Sequence, residues 1–327
     1  MTSWPAPPPT PPRPSRPAGR PGGPAPTTLT ARRPEDLLAA VPVVLGFHPE
    51  DSVVLLTFGG DHQFHARLDL PRSAADVEAA TAALLAPARR ERVQAAALVV
   101  YAGEASAAAA RSAARALARR FELAGITVLD ALRADGSRWF PLLGGARGVP
   151  AWGVPYDVSS HPFTAQAVYD GRAVLGSRAD LEAGLRPDPA GVAAVGDALA
   201  GAVACDPEEA ADVLDRHLAA GSVPDGELAG LLLGLRDVAV RDAAWAPVRR
   251  AGAADHVQVW SDAVRRAPAE VLADAAAVLA YVAWAAGDGA LAWCAIDRCL
   301  GADPANTLAG LVAELLERAV PPDVLDD

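Results

Sequence analysis

"RPEDLLAAVPVVLGFHPEDSVVLLTF", residues 33–58, is the stretch whose reading sets the fold. Pro34 suits the first turn of a helix, and Glu35 and Asp36 complement the positive end of its dipole. Pro42 ends or kinks that helix, because its ring crowds the preceding turn, and Gly46 is placed to terminate the next turn. A polar knot, Phe47-His48-Pro49-Glu50-Asp51-Ser52, then leads into "SVVLLTF" (52–58). That β-branched, apolar run predicts a buried strand. Gly59-Gly60-Asp61-His62 turns the chain into "QFHARLDL" (63–70), where Phe64, Ala66, Leu68 and Leu70 alternate with polar neighbours. The pair predicts a β-hairpin.

The pattern continues outward. Ser73 and Asp76 have the spacing of a capping box for a helix running to about Arg90. A strand is expected at 94–102, a helix at 104–124, and strands at 126–134 and 137–143 around the Asp135-Gly136 turn. This alternation predicts a mixed sheet covered by helices. Residues 144–175 read as irregular chain holding Trp152, Tyr156, His161 and Tyr169. Beyond them every segment looks helical. Asp206-Pro207-Glu208-Glu209 opens one helix and Gly221 stops it, and others cover roughly 226–244, 254–266, 269–285, 289–301 and 304–318. The expected fold is an α/β mixed-sheet domain (29–186) followed by an all-α, acidic helical domain (187–320), with tails at 1–28 and 321–327.

Charge is distributed unevenly along the chain. The net value is −11, yet residues 1–33 carry five arginines and no acid, whereas residues 187–327 carry 9 arginines against 23 acids. Lysine is absent, isoleucine occurs only at 126 and 296, and asparagine only at 306. That usage reflects GC-rich coding, so arginine in place of lysine carries no functional meaning. An acidic body repels phosphate backbones, which argues against nucleic-acid binding by the folded part. Residues 1–28 hold eleven prolines and are expected to be a disordered, Pro/Arg-rich tail. Cys205, Cys294 and Cys299 are too few and too scattered for a disulfide framework or a zinc site, which predicts a reducing, cytoplasmic setting. No apolar run reaches membrane-spanning length.

Several motifs occur in a familiar order. "RPEDLLAAVPVVLGFHPEDSVVLL", "DGSRWFPLL", "GSRADLEAGL", Arg241-Asp242 and "AWAAGDGALAWCAIDRCLGADPANTLAGLVAELL" together resemble the bacterial domain-of-unknown-function family four-one-nine-two, over about residues 30–320. The resemblance implies no activity, substrate or catalytic residue. Arg33 stands where the family often has Ser or Thr, so the cap of the first helix must come from elsewhere: Thr30, backbone or water. The last helix pair, with Gly287-Asp288 at a turn, small Ala292, Leu300, Asp303-Pro304 and Asn306, resembles a single tetratricopeptide-like unit. One such unit needs neighbouring helices to cover its faces.

No residue set predicts catalysis. His48, Asp51 and Ser52 sit too close together on one turn to converge as a triad, so the knot reads as a corner of the scaffold. His62 and His65 would diverge on a strand, which disfavours a metal site with Asp61. No glycine-rich phosphate loop is present, and no cofactor is expected. The candidate binding residues are Arg138 and Trp139 after a hairpin turn, His161, Arg178 at a helix start capped by Ser177 and Asp180, and Trp284 beside the Gly287-Asp288 turn. His217 lies on the apolar stripe of its helix and reads as a satisfied core histidine. Arg241 and Asp242 are adjacent, and each is expected to pair with a neighbouring helix. The expected function is a non-enzymatic binding or scaffold protein whose acidic helices suit a basic protein partner. The alternative is an enzyme or small-molecule sensor with Arg138, Arg178 and His161 facing a cleft between the domains.

Overall fold

The computed structural model describes residues 30–62, 64–144, 148–169 and 174–325. The Pro/Arg-rich segment 1–28 lies outside them. Helix α1 (Pro34–Leu45) continues past Pro42 and stops at Gly46, whose φ of 78° is the left-handed C-cap that glycine favours. Strands β1 (Ser52–Phe58) and β2 (His65–Asp69) form the expected hairpin. After helix α2 (Ala74–Arg90), capped by Ser73 and Asp76, come β3 (Ala95–Tyr101), helix α3 (Ala107–Leu123), β4 (Thr127–Ala134) and β5 (Arg138–Pro141).

The sheet order is β2-β1-β3-β4-β5-β6, with β6 only Val154–Pro155. β3 and β4, joined by α3, are parallel, and the other neighbours are antiparallel. Period-two alternation divides β1 between two cores. Val53 and Leu55 face α2 and α3 with Leu98, Val100 and Phe121, while Val54 and Leu56 face α1 with Ala97, Val99, Leu132 and Trp139. A sheet covered on both sides explains why "SVVLLTF" is apolar throughout.

The irregular segment is more ordered than its sequence suggests. It contributes β6 and helix α4 (Pro162–Tyr169), which packs on α1. Leu175 then pairs with the chain leaving α1: its N–H donates to Gly46 O, and His48 N–H donates back to Leu175 O.

The rest is helical: α5 (Arg178–Gly184), α6 (Pro189–Leu199), α7 (Pro207–His217), α8 (Asp225–Gly234), α9 (Val238–Trp245), α10 (Ala253–Arg266), α11 (Ala269–Ala285), α12 (Gly289–Ala302) and α13 (Thr307–Glu317). The single helix expected at 226–244 is two, because Asp237 accepts from Ala239 N–H and caps a new start. α11 is buried on nearly every side, from Ala275 to Ala285, and packs against α9, α10, α12 and α13. Its long apolar run is therefore a core helix, and among the described residues no helix is long and apolar enough to cross a membrane. Leu181 and Leu185 pack into this helical core, so 178–185 adheres to the helices rather than to the sheet. Residues Pro322–Leu325 form a 3-10 turn, and Leu325 packs on the same core.

Candidate functional site

The polar cluster best placed to be a site lies where α1, β5 and α4 meet. Arg33 supplies no side-chain cap to α1. Instead Asp36 reaches back, accepting from Arg32 N–H at 2.7 Å and Arg33 N–H at 3.0 Å, while its own N–H donates to Arg33 O at 3.0 Å. Asp36 is buried, and it also meets His161 Nε2 at 3.1 Å and the Arg33 guanidinium at 3.5 Å. Burial pushes its carboxyl up, but the backbone hydrogen bond from Arg32, the bond from His161, that from Arg33 N–H and the Arg33 charge together hold it below the ordinary carboxylate range.

His161 is fixed from both sides. Its Nδ1 accepts from Phe163 N–H at 3.2 Å, so the ring proton sits on Nε2 and donates to Asp36. Neither nitrogen is left for a substrate. One residue before Asp36, Glu35 accepts from Trp139 Nε1 at 3.0 Å, while Trp139 itself is buried in the sheet core. Arg138, pointing to the other face of β5, donates to the carbonyls of Trp152 and Gly153, both at 3.4 Å, and braces the chain entering β6. Arg138 and Trp139 are thus neighbours in sequence with separate tasks.

The remaining candidates lie elsewhere. Arg178 donates to Glu182 at 3.2 Å on its own helix and to Asp297 at 3.1 Å on α12, tying α5 to the helical core. Ser177 caps that helix through Asp180 N–H, as its spacing implied. Trp284 is buried, its Nε1 donates to Val320 O at 3.0 Å, and it stacks in the row Trp245, Tyr281, Trp284. His217 meets Glu227 at 3.3 Å. Arg138, His161 and Arg178 each bond a different set of partners, and no partner is shared among them. Two recesses of the described surface, one along α3 and one beside β2 and α2, include none of the five candidates.

The knot at 47–52 is a turn. Ser52 Oγ donates to Glu50 O and accepts from Arg67 Nε, while Asp51, at φ 38°, accepts from Leu70 N–H through its carbonyl. His62, in the bend before β2, meets Glu91 at 3.1 Å, whereas His65, the first residue of β2, accepts from Thr57 N–H on β1. Burial pushes the Cys294 thiol up to about 11 and Cys299 to about 12, which keeps both protonated and unreactive. Arg241 Nε lies 4.0 Å from the adjacent Asp242, which accepts from Trp245 Nε1 on the same helix, and the Arg241 charge also acts on Asp274 of the neighbouring α11.

Two of these pairings join segments of the resemblance noted above: Glu35 with Trp139, and Arg178 with Asp297. The family model described as Domain of unknown function (DUF4192) matches residues 34–323. The chain belongs to DUF4192. No curated protein and no solved structure matches it significantly. In this DUF4192 chain Glu35 with Trp139 and Arg178 with Asp297 are bonds between segments far apart in sequence.

Sequence reasoning passed over two features. Arg266 gathers Ser222 Oγ at 3.1 Å, Val223 O at 2.9 Å, and the carboxylates of Asp225 and Asp262. Arg111, Arg115 and Arg119 form an exposed row on α3, and their spacing of four could have been read directly from the sequence.

Proposed function

We propose that this protein is a non-enzymatic binding or scaffold protein whose acidic helical half receives a partner with a basic surface. The observation that carries the reading is His161: the most enzyme-like side chain of the α1–β5–α4 cluster has both ring nitrogens engaged inside the fold. Proton transfer needs a free nitrogen within reach of substrate. The buried thiols offer no nucleophile either.

The acidic side of the reading rests on exposed carboxylates such as Glu208, Asp212, Asp215 and Asp237. A field of one sign steers an oppositely charged partner and disfavours others. We read α12 and α13 as a tetratricopeptide-like pair completed by α11, an arrangement that forms peptide grooves in helical repeats. We place the protein in the cytoplasm, on the ground that its three cysteines are unbridged.

The test is native mass spectrometry of the chain purified gently from its own cells, with and without residues 1–28. A protein with a basic segment, bound at fixed stoichiometry and released by salt, is the expected result. A solitary chain carrying a small molecule would overturn the reading in favour of an enzyme or sensor.

A further inference from the structure

The outer face of α3 is the least explained surface of the molecule. Its inner face, Ala110, Ala113, Ala114, Leu117, Ala118 and Phe121, is buried against the sheet. Outward, Arg111, Arg115 and Arg119 follow one another at intervals of four, and Leu123, 73% exposed, extends the same ridge. Positions four apart stack on one side of a helix, so the three guanidinium groups span about 12 Å. Ala108, Ser112 and Ala116 floor a shallow trough beside them. Among the described residues none of the three arginines has an ion pair, although most other arginines of the α/β half do; Arg120, next in sequence, is held by Glu78 at 2.8 Å. Three uncompensated cations in a row on a protein of net charge −11 call for an anionic occupant.

A match is present on the same chain. On α7 the buried residues are Ala210, Val213 and Leu214, and the opposite ridge is Glu208, Asp212 and Asp215. These carboxylates are exposed and also make no ion pair among the described residues, whereas Arg216 beside them is taken by Glu227 at 2.6 Å. Their ridge spans about 10 Å, close to that of the arginine row.

We infer that the arginine ridge of α3 docks on the acidic ridge of α7 in a second copy of this chain. The inference rests on the reading of the helical half as an acidic receiver, and it names one basic surface that half would receive. Because each copy carries both ridges, the contact is between unlike surfaces, and the rotation it imposes decides whether the copies close on one another or run on as an open chain. Exposed ion pairs are individually weak and screened by salt, so the association belongs to high protein concentration and low ionic strength.

The test is sedimentation velocity on the full chain at about 0.05 M and 0.5 M salt. The wild-type protein should associate at low salt and dissociate at high salt. A variant with Arg111→Glu, Arg115→Glu and Arg119→Glu should stay monomeric, as should one with Glu208→Arg, Asp212→Arg and Asp215→Arg. Mixed together, the two should associate, since every ridge then meets its opposite. All six positions are exposed, and circular dichroism checks the fold; the single change Arg115→Glu gives a milder second variant with a partial loss. A wild-type monomer at low salt overturns the inference, as does association that survives either reversal, or a mixture that stays monomeric. If the α3 variant instead loses binding to a single-stranded oligonucleotide while sedimentation is unchanged, the occupant is a phosphodiester and the inference falls. A foreign basic partner found in native mass spectra, with no self-association, would sink this inference and leave the broader reading standing.

Discussion

His161 and Asp36 stand 125 residues apart in the chain and meet at 3.1 Å, where the imidazole closes a set of donors already directed at the carboxylate from the start of α1. The bond holds α4 against the helix that begins the fold. It is a buried, charge-assisted contact, the kind whose loss leaves an unmatched group behind.

Asp36→Asn should therefore destabilise the protein by about 2–4 kcal/mol, and His161→Phe by about 1–3 kcal/mol. Urea unfolding at neutral pH measures both. The folded-state acidity of Asp36 lies below its ordinary value. Its contribution is complete above the unfolded carboxylate range and is lost as pH falls through the lower folded value. Asp36→Asn should remove that part of the acid sensitivity. A loss of under about 0.5 kcal/mol for both variants would show the contact to be idle.

His65 gives a second pH effect with a different window. Burial pushes its imidazole down to about 4. The unfolded ring takes a proton near 6.5, so stability is complete above about 6.5 and erodes as pH falls towards about 4. The slope should approach about 1 kcal/mol per pH unit. Denaturation midpoints at successive pH values would show it, and His65→Gln should flatten the curve; an unchanged curve in the variant refutes the assignment.

Gly234 is the last residue of α8, a helical position with no positive φ, where alanine would ordinarily cost nothing. Here a Cβ would lie 2.8 Å from Cys205 O and 2.9 Å from Val240 Cγ1. Backbone cannot swing away as a side chain can, so Gly234→Ala should destabilise by about 1–3 kcal/mol. Thermal melting decides the sign.

The Arg178–Asp297 pair should behave differently again. Asp297 is 63% exposed at its side chain, and such pairs are weakened by solvent and salt. A double-mutant cycle with Arg178→Ala and Asp297→Ala should return a coupling of less than about 1 kcal/mol, smaller still in high salt. A coupling above about 2 kcal/mol would mean that the pair is shielded from water.

Local chemistry made most of the fold legible. Ser73 with Asp76, the Asp135-Gly136 turn and the apolar run 52–58 each fix an element within a few residues, and α2 runs from Ala74 to Arg90 as expected. β6 escaped because two residues carry no periodicity, and its pairing to β5 depends on how the connecting loop returns to the sheet. The site was half legible. Trp139 and His161 stood out by residue type, but their partners Glu35 and Asp36 looked like ordinary helix-start acids. Nothing in a local pattern says which of several acids a distant ring will choose.

The adjacency of Glu35 and Asp36 has a consequence for how the molecule opens. One grips Trp139 on β5 and the other His161 beside α4, so a fluctuation that lifts the first turn of α1 releases both at once. Hydrogen exchange should find these three segments, scattered over some 130 positions of chain, opening as one cooperative unit with a common free energy. The first turn of the first helix is then the latch that holds β5 and α4 together.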